Sequence, residues 1–203
     1  MTGPLGSRLK PCGPVHDAEA AARVLERLSE AAAADGWTGV LDSAWPALAP
    51  VFAASPYLSG LARRWPDRLR TILEADPSDR LAAILADTAA LEGPSEDVKA
   101  PLRWLKAELH LLTALADLGG VWDLDQVTGA VSRFADAAAQ AALAAVAFEQ
   151  TAAGKLLAAV DDPRGPVPGL FGLAMGKHGA FELNYSSDID LSLFYEPETL
   201  EAV

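Results

Sequence analysis

The chain has little with which to build a covalent or metal-stapled scaffold. Cys12 is the one cysteine in 203 residues, so no disulfide framework can form within it. His16, His110 and His178 are widely separated, and with a single thiol they do not make a structural zinc set. Basic residues are also scarce: 16 Lys and Arg stand against 28 Asp and Glu, a formal net charge of −12. A protein that grips phosphate backbones usually carries a clustered basic surface, and here the densest basic pair is Arg63 and Arg64. Long apolar runs are missing too. The longest charge-free Ala-rich stretch, Ala137 to Phe148, holds Gln140 and is too short to span a bilayer. The opening "MTGPLGSRLKPCGP" lacks the apolar core of a signal peptide. The expectation is a cytoplasmic protein with neither nucleic acid nor membrane among its partners.

What is abundant is Ala and Leu, which favour helix. Residues 1–15 are rich in Gly and Pro and read as a disordered or extended lead-in. From Asp17 to Ala34, Ala21, Val24, Leu25 and Leu28 recur at helical spacing. Short segments follow at Ala44–Ala54 and Pro56–Trp65, then helices that start at Pro66 and Pro77, since proline suits a first turn. Ser78 or Asp79 is the expected cap of the helix carrying Leu81, Ile84 and Leu85. Val98, Leu102, Leu105, Leu109, Leu112 and Leu115 form the next stripe, with Pro101 in its first turn or kinking it, and Gly119-Gly120 ends it. A long helix runs from about Leu124 to Ala153 with Val127, Val131, Phe134, Ala141, Ala145 and Phe148 on one face. These stripes read as the core of a helical bundle over residues 16–160.

The texture changes at "DDPRGPVPG", residues 161–169, a loop by its prolines and glycines. "LFGLAMG" and "DIDLSLFY" then read as two strands. Two strands do not make a stable sheet alone. Residues 161–203 are therefore expected to hold only the first part of a β-containing domain.

Within it, Asp188 and Asp190 flank Ile189. On a strand, residues two apart project from one face. The two carboxylates are expected to project together while Ile189 and Leu191 face the core. Adjacent carboxylates call for a cation, and a hard divalent ion with oxygen ligands, Mg²⁺ by preference, fits them. Such pairs hold metal ions for attack at phosphorus. Twelve residues upstream, Gly176-Lys177 follows the first strand, where a glycine turn lets the backbone approach a phosphate and lysine adds charge. Ser186 and Ser187 can offer hydroxyls. His178 beside the turn reads as a loop histidine with no special role in preference to an acid–base group. Taken together, the residues point to metal-dependent nucleotidyl transfer.

The stretch "GLAMGKHGAFELNYSSDIDLSLFY" resembles the glutamine synthetase adenylyltransferase/adenylyl-removing family, within the nucleotidyltransferases of the DNA polymerase β type. Met175, Gly176, Lys177, Gly179, Glu182, Leu183, Asn184, Ser187, Asp188, Ile189, Asp190 and Leu191 match the family's pattern. His178 stands where leucine is usual, Ala180-Phe181 replaces a glycine and a polar residue, and Ser192 replaces an apolar one. "SPYLSGLARRWPDRL" and "LTALADLGGVWDLDQVTGAVSRFADAA" are similar to the family's N-terminal region, so the resemblance runs from about residue 16 onward.

The resemblance implies a mostly α fold: an N-terminal helical bundle, then the start of an α/β nucleotidyltransferase domain with an incomplete sheet. It implies Asp188 and Asp190 as catalytic metal ligands for Mg²⁺, Gly176 and Lys177 as the phosphate turn, and Ser187 as a phosphate or ribose contact. Glu182 would pack or cap, and Asn184 would tolerate a left-handed turn. The family is bifunctional. One copy of its catalytic domain adenylylates a tyrosine of glutamine synthetase with ATP, and the other removes AMP by phosphorolysis, giving ADP. The "ELNYSSDID" wording resembles the adenylyl-removing copy. Glutamine synthetase and PII signalling proteins are the implied partners. Two other readings stand beside this one: a non-catalytic helical docking segment with a partial site, and a nucleotidyltransferase acting on nucleic acid, which the acidic balance disfavours.

Overall fold

The structure, a computed structural model, describes residues 2–156 and 166–200. The domain boundary expected at 160/161 and most of the expected loop at 161–169 lie outside these residues. The architecture is mostly α, with a small two-stranded antiparallel sheet that does not close. The chain packs as two compact units, residues 1–82 with 107–127 and residues 83–106 with 128–203.

The first unit is helical. Helix α1, Ala18–Asp35, begins where the Asp17 carboxylate accepts from the Ala20 N–H at 2.8 Å, and ends at Gly36, whose left-handed φ of 75° no β-carbon opposes. It buries Ala21, Val24, Leu28 and Ala32, one residue per turn. Helix α2, Thr38–Ala54, buries Leu41, Leu48 and Phe52. Helices α3, Pro56–Arg64, and α4, Pro66–Glu74, both start on proline as the sequence predicts. Helix α5, Pro77–Ala89, does too, but its first turn is capped by neither Ser78 nor Asp79. Pro77 takes the first helical position, so the capping place falls to Asp76, whose Oδ1 accepts from the Ser78 N–H at 2.9 Å.

The lead-in expected at residues 1–15 is not free of the fold. Leu5–Ser7 form a 3₁₀ turn, Leu5 is fully buried, and its N–H donates to the Ala75 carbonyl at 2.8 Å. The Lys10 N–H donates to Gly119 O at 3.0 Å. One leucine in a Gly/Pro-rich stretch has no periodicity to betray it, yet it supplies the apolar anchor.

Helix α6, Ser95–Leu118, carries Pro101 in its second turn, so it is an interior proline and not a first-turn one. Its Glu108 belongs to the first unit. The Glu108 side chain is wholly buried, with Oε1 2.6 Å from Arg80 Nε and Oε2 bonded to Arg68 Nη1.

The second unit contains most of helix α7, Leu124–Ala152. Val131, Phe134, Ala141 and Ala145 are buried as expected, while Phe148 is part-exposed. By length and composition α7 could cross a membrane, and 44% of its most apolar part is buried in the protein. Strand β1, Leu170–Ala174, pairs antiparallel with β2, Leu191–Tyr195, in the register Leu170↔Tyr195 through Ala174↔Leu191. Phe171 and Phe194, directly opposite, stack with ring centroids 5.3 Å apart. Between the strands lies the one-turn helix α8, Gly176–Gly179.

Candidate active site around the glycine turn

Strand β1 ends at Ala174, and Gly176 redirects the chain with φ +56°, a left-handed conformation that favours glycine. The turn then closes tightly on the strand it leaves. A β-carbon at Gly179 would lie 2.4 Å from the Ala174 carbonyl oxygen, so glycine is required there by space alone. The Gly179 N–H donates to Met175 O and the Ala180 N–H to Gly176 O, both at 3.0 Å. One more backbone bond, beyond the ladder, ties this turn to the residue just before the second strand: the Met175 N–H donates to Asp190 O at 2.9 Å.

That bond sets the candidate site. It holds Asp190 beside the turn, and a β-carbon at Gly176 would be 3.8 Å from Asp190 Oδ2. Residues far apart in sequence, the glycine turn and the second aspartate, are thus brought together. Asp188 and Asp190 are not strand residues, however, because β2 begins at Leu191. With the partner strand turning away at Gly176, the backbone at 188 and 189 has no ladder to join. Ile189 and Leu191 accordingly do not face a core; they are 43% and 38% exposed.

Both aspartates are exposed, and neither carboxylate makes a hydrogen bond or ion pair among the described residues. Lys177 is exposed at the turn. Ser187 donates its hydroxyl to Asn184 Oδ1 at 2.8 Å, and the Ser186 N–H donates to the same oxygen at 3.2 Å. Asn184 therefore serves as a side-chain turn that shapes the approach to Asp188. It is not the left-handed residue; Phe181 is, at φ +64°. Glu182 neither packs nor caps: its side chain is exposed, and its N–H donates to Lys177 O at 2.8 Å.

Among the described residues no group of three or more His, Cys, Asp or Glu gathers as a metal cluster. The pair Asp188 and Asp190, with lone pairs unspent, still suits a Mg²⁺ ion, which commonly takes one or two carboxylates and fills its shell with water and phosphate oxygens.

His178, expected to have no special role, is buried. Its Nε2 lies 2.8 Å from Asp136 Oδ1 on α7. Ser132, also on α7, accepts the Leu183 N–H at 3.3 Å, and Leu183 packs on Val131 and Ala135. Sequence reading gave α7 only a core role. The available signal was Ser132 and Asp136, polar residues four apart beside an apolar stripe.

Comparison with known proteins agrees with the motif. The profile of the family described as Glutamate-ammonia ligase adenylyltransferase matches residues 45–202. The chain is 58% identical, over 97% of its length, to the bifunctional glutamine synthetase adenylyltransferase/adenylyl-removing enzyme of Caulobacter vibrioides, and covers 20% of that protein. Proteins of the same name from Bradyrhizobium diazoefficiens and Xanthobacter autotrophicus are 48% and 42% identical over 71% and 84% of the chain, which covers 15% and 17% of them. The chain thus spans about a fifth or less of these relatives' length. No solved structure matches it with significance. The match to the family profile covers well over half of the residues and takes in the whole glycine turn and both aspartates, so the chain belongs to the glutamate–ammonia ligase adenylyltransferase family.

Proposed function

We propose that this chain carries the beginning of the adenylyl-removing site of such an enzyme, which transfers the adenylyl group of an adenylylated tyrosine of glutamine synthetase to phosphate, giving ADP. The observation that supports this most is the approach of Asp190 to the Gly176 turn, with a Gly176 β-carbon position 3.8 Å from Asp190 Oδ2. A phosphate bound at that turn lies next to the carboxylate pair. In the reaction, a phosphate oxygen bonds to the adenylyl phosphorus, the bond from phosphorus to the tyrosine oxygen breaks, and ADP and a protonated tyrosine result.

Asp188 and Asp190 would hold Mg²⁺, which neutralises charge on the phosphoryl oxygens and aligns them. Gly176 leaves room for the phosphate against the backbone, and Lys177 adds a positive charge at the same turn. Ser187, oriented by Asn184, keeps oxygen lone pairs available for a phosphate or ribose contact. The partners on this reading are glutamine synthetase, which the names of the relatives contain, and a PII-type regulator. The setting is cytoplasmic, where ATP, ADP and phosphate are at hand.

The test uses an enzyme of the relatives' length carrying this segment. Asp188→Asn and Asp190→Asn should each abolish phosphate-dependent ADP release from adenylylated glutamine synthetase while leaving the adenylylating activity in place. Normal release by both variants would show the assignment to be wrong. A second reading, a helical docking segment with a partial site, is favoured by the lack of any group of three or more His, Cys, Asp or Glu that could hold a metal among the described residues. It gains support if the 203-residue chain binds glutamine synthetase and, given phosphate, releases no ADP from the adenylylated form, and it fails if that chain turns over.

A further inference from the structure

The glycine turn is anchored to more than its strands. From His178 to Leu183 the chain lies along α7 and is fastened there at three levels. The His178 side chain, 1% exposed, places Nε2 at 2.8 Å from Asp136 Oδ1. The Arg133 guanidinium lies over the Phe181 ring at 5.5 Å from its centroid. Leu183 closes the docking on Val131 and Ala135, with its N–H on Ser132 Oγ.

The histidine contact differs in kind from the other two. An ionised carboxylate can only accept, so Nε2 donates to Asp136. The other ring nitrogen, Nδ1, is buried without a hydrogen-bond partner among the described residues. A buried polar nitrogen left unpaired is unfavourable, and a leucine would fill the same space without that cost. Packing therefore does not explain the histidine. Its bond to Asp136 fixes the direction of a side chain rooted two residues after Gly176 and one after Lys177. On its other side the same turn is latched to Asp190 through the Met175 N–H.

We propose that Asp136 and His178 form a positioning pair that fixes the Gly176-Lys177 turn relative to Asp190. This inference rests on the site assignment made under Proposed function. The pair touches no reacting atom; it acts through the turn. If the imidazole is released from Asp136, α8 can pivot about its strand latch, and the phosphate cradle moves relative to the carboxylates. Misplacement of a substrate cradle by about 1 Å can cost up to ~10²-fold in rate.

The experiment compares Asp136→Ala, His178→Leu, their combination and Asp136→Asn in an enzyme of the relatives' length. Two quantities are read: kcat for phosphate-dependent ADP release, and hydrogen exchange of peptides covering residues 176–184. Asp136 is 57% exposed, so its truncation leaves the core intact. Expected are losses of about tenfold in kcat for Asp136→Ala and for His178→Leu. The double variant should be no worse than the poorer single one, because the two side chains act as a unit. Asp136→Asn should restore activity, its amide oxygen still accepting from Nε2. Exchange over 176–184 should quicken in Asp136→Ala and not in Asp136→Asn.

Unchanged kcat and exchange in Asp136→Ala, with Asp188→Asn inactive, would overturn the pair and leave the site assignment standing. Losses that multiply in the double variant would overturn it as well. If Asp188→Asn and Asp190→Asn stay active, the site assignment fails instead, and the exchange measurement alone decides whether the pair holds the turn.

Discussion

Carboxylates are handled in opposite ways in the two halves of the molecule. In the first unit, Glu108 is wholly buried and shared between Arg68 and Arg80, themselves only 26% and 20% exposed. In the second, Asp188 and Asp190 stand exposed beside an apolar hairpin, unpaired among the described residues. Desolvating a carboxylate is costly unless cations and hydrogen bonds replace its water, and Glu108 has both. The aspartates keep their water and have no partner among the described residues. The difference separates a charge that is part of the packing from charges that, on the proposed function, await a metal ion. The hairpin follows the same division: Phe171, Leu173, Leu193 and Tyr195 are each more than half exposed, whereas Leu48, Leu69 and Ile72 in the first unit are fully buried.

The contrast is broken most directly at Glu108. Glu108→Ala removes the shared carboxylate from two part-buried guanidinium groups. Breaking such a buried set costs about 3 kcal/mol or more. The urea midpoint of the first unit should fall accordingly, measured by tryptophan fluorescence, since Trp37 is buried there. A midpoint equal to that of the parent would mean that Glu108 is no more structural than the exposed aspartates.

A smaller effect is expected at Gly179, where the contrast can be sharpened. Gly179→Ala places a β-carbon 2.4 Å from the Ala174 carbonyl oxygen, and backbone must move to admit it. Overpacking of this kind costs about 1–3 kcal/mol. It should be confined to the hairpin, with faster exchange of residues 170–195, lost phosphate-dependent ADP release and an unshifted midpoint for the first unit. A lowered midpoint for the first unit would show the two regions to be less separate than their carboxylates suggest.

Much of this was legible in the sequence, for reasons that differ by residue. Prolines 56, 66 and 77 mark helix starts because their missing N–H costs nothing there. The Asp-x-Asp pair and the glycine turn were legible as chemistry. Their position just before β2 was not, because alternation of side chains does not say where a ladder ends. His178 and Asp136 are 42 residues apart, and no local pattern joins them. Leu5 was missed because one apolar residue makes no period, and Asp76 because the capping place is displaced by one when proline leads the helix.

The smallest expected effect concerns Asp76, which ties the chain's beginning to the first unit. The Gly3 N–H at 2.9 Å, then the Ser78 N–H and the Arg8 guanidinium at 3.4 Å, hold its carboxyl below the usual aspartate range. A carboxyl whose folded-state pKa is depressed adds stability above its unfolded value of about 3.9, and that stability is lost as the pH falls through the folded value. Asp76→Asn keeps the cap and deletes the charge, so the difference from the parent isolates the charge from every other titrating group. At pH 7 the parent should be more stable by about 0.5 kcal/mol, a magnitude typical of a carboxylate at a helix start. The gap should shrink from about pH 4 downward and close below the folded pKa. A gap constant from pH 7 to pH 2 would mean that Asp76 acts through its shape alone, and that the chain's first residues are held by Leu5 without help from charge.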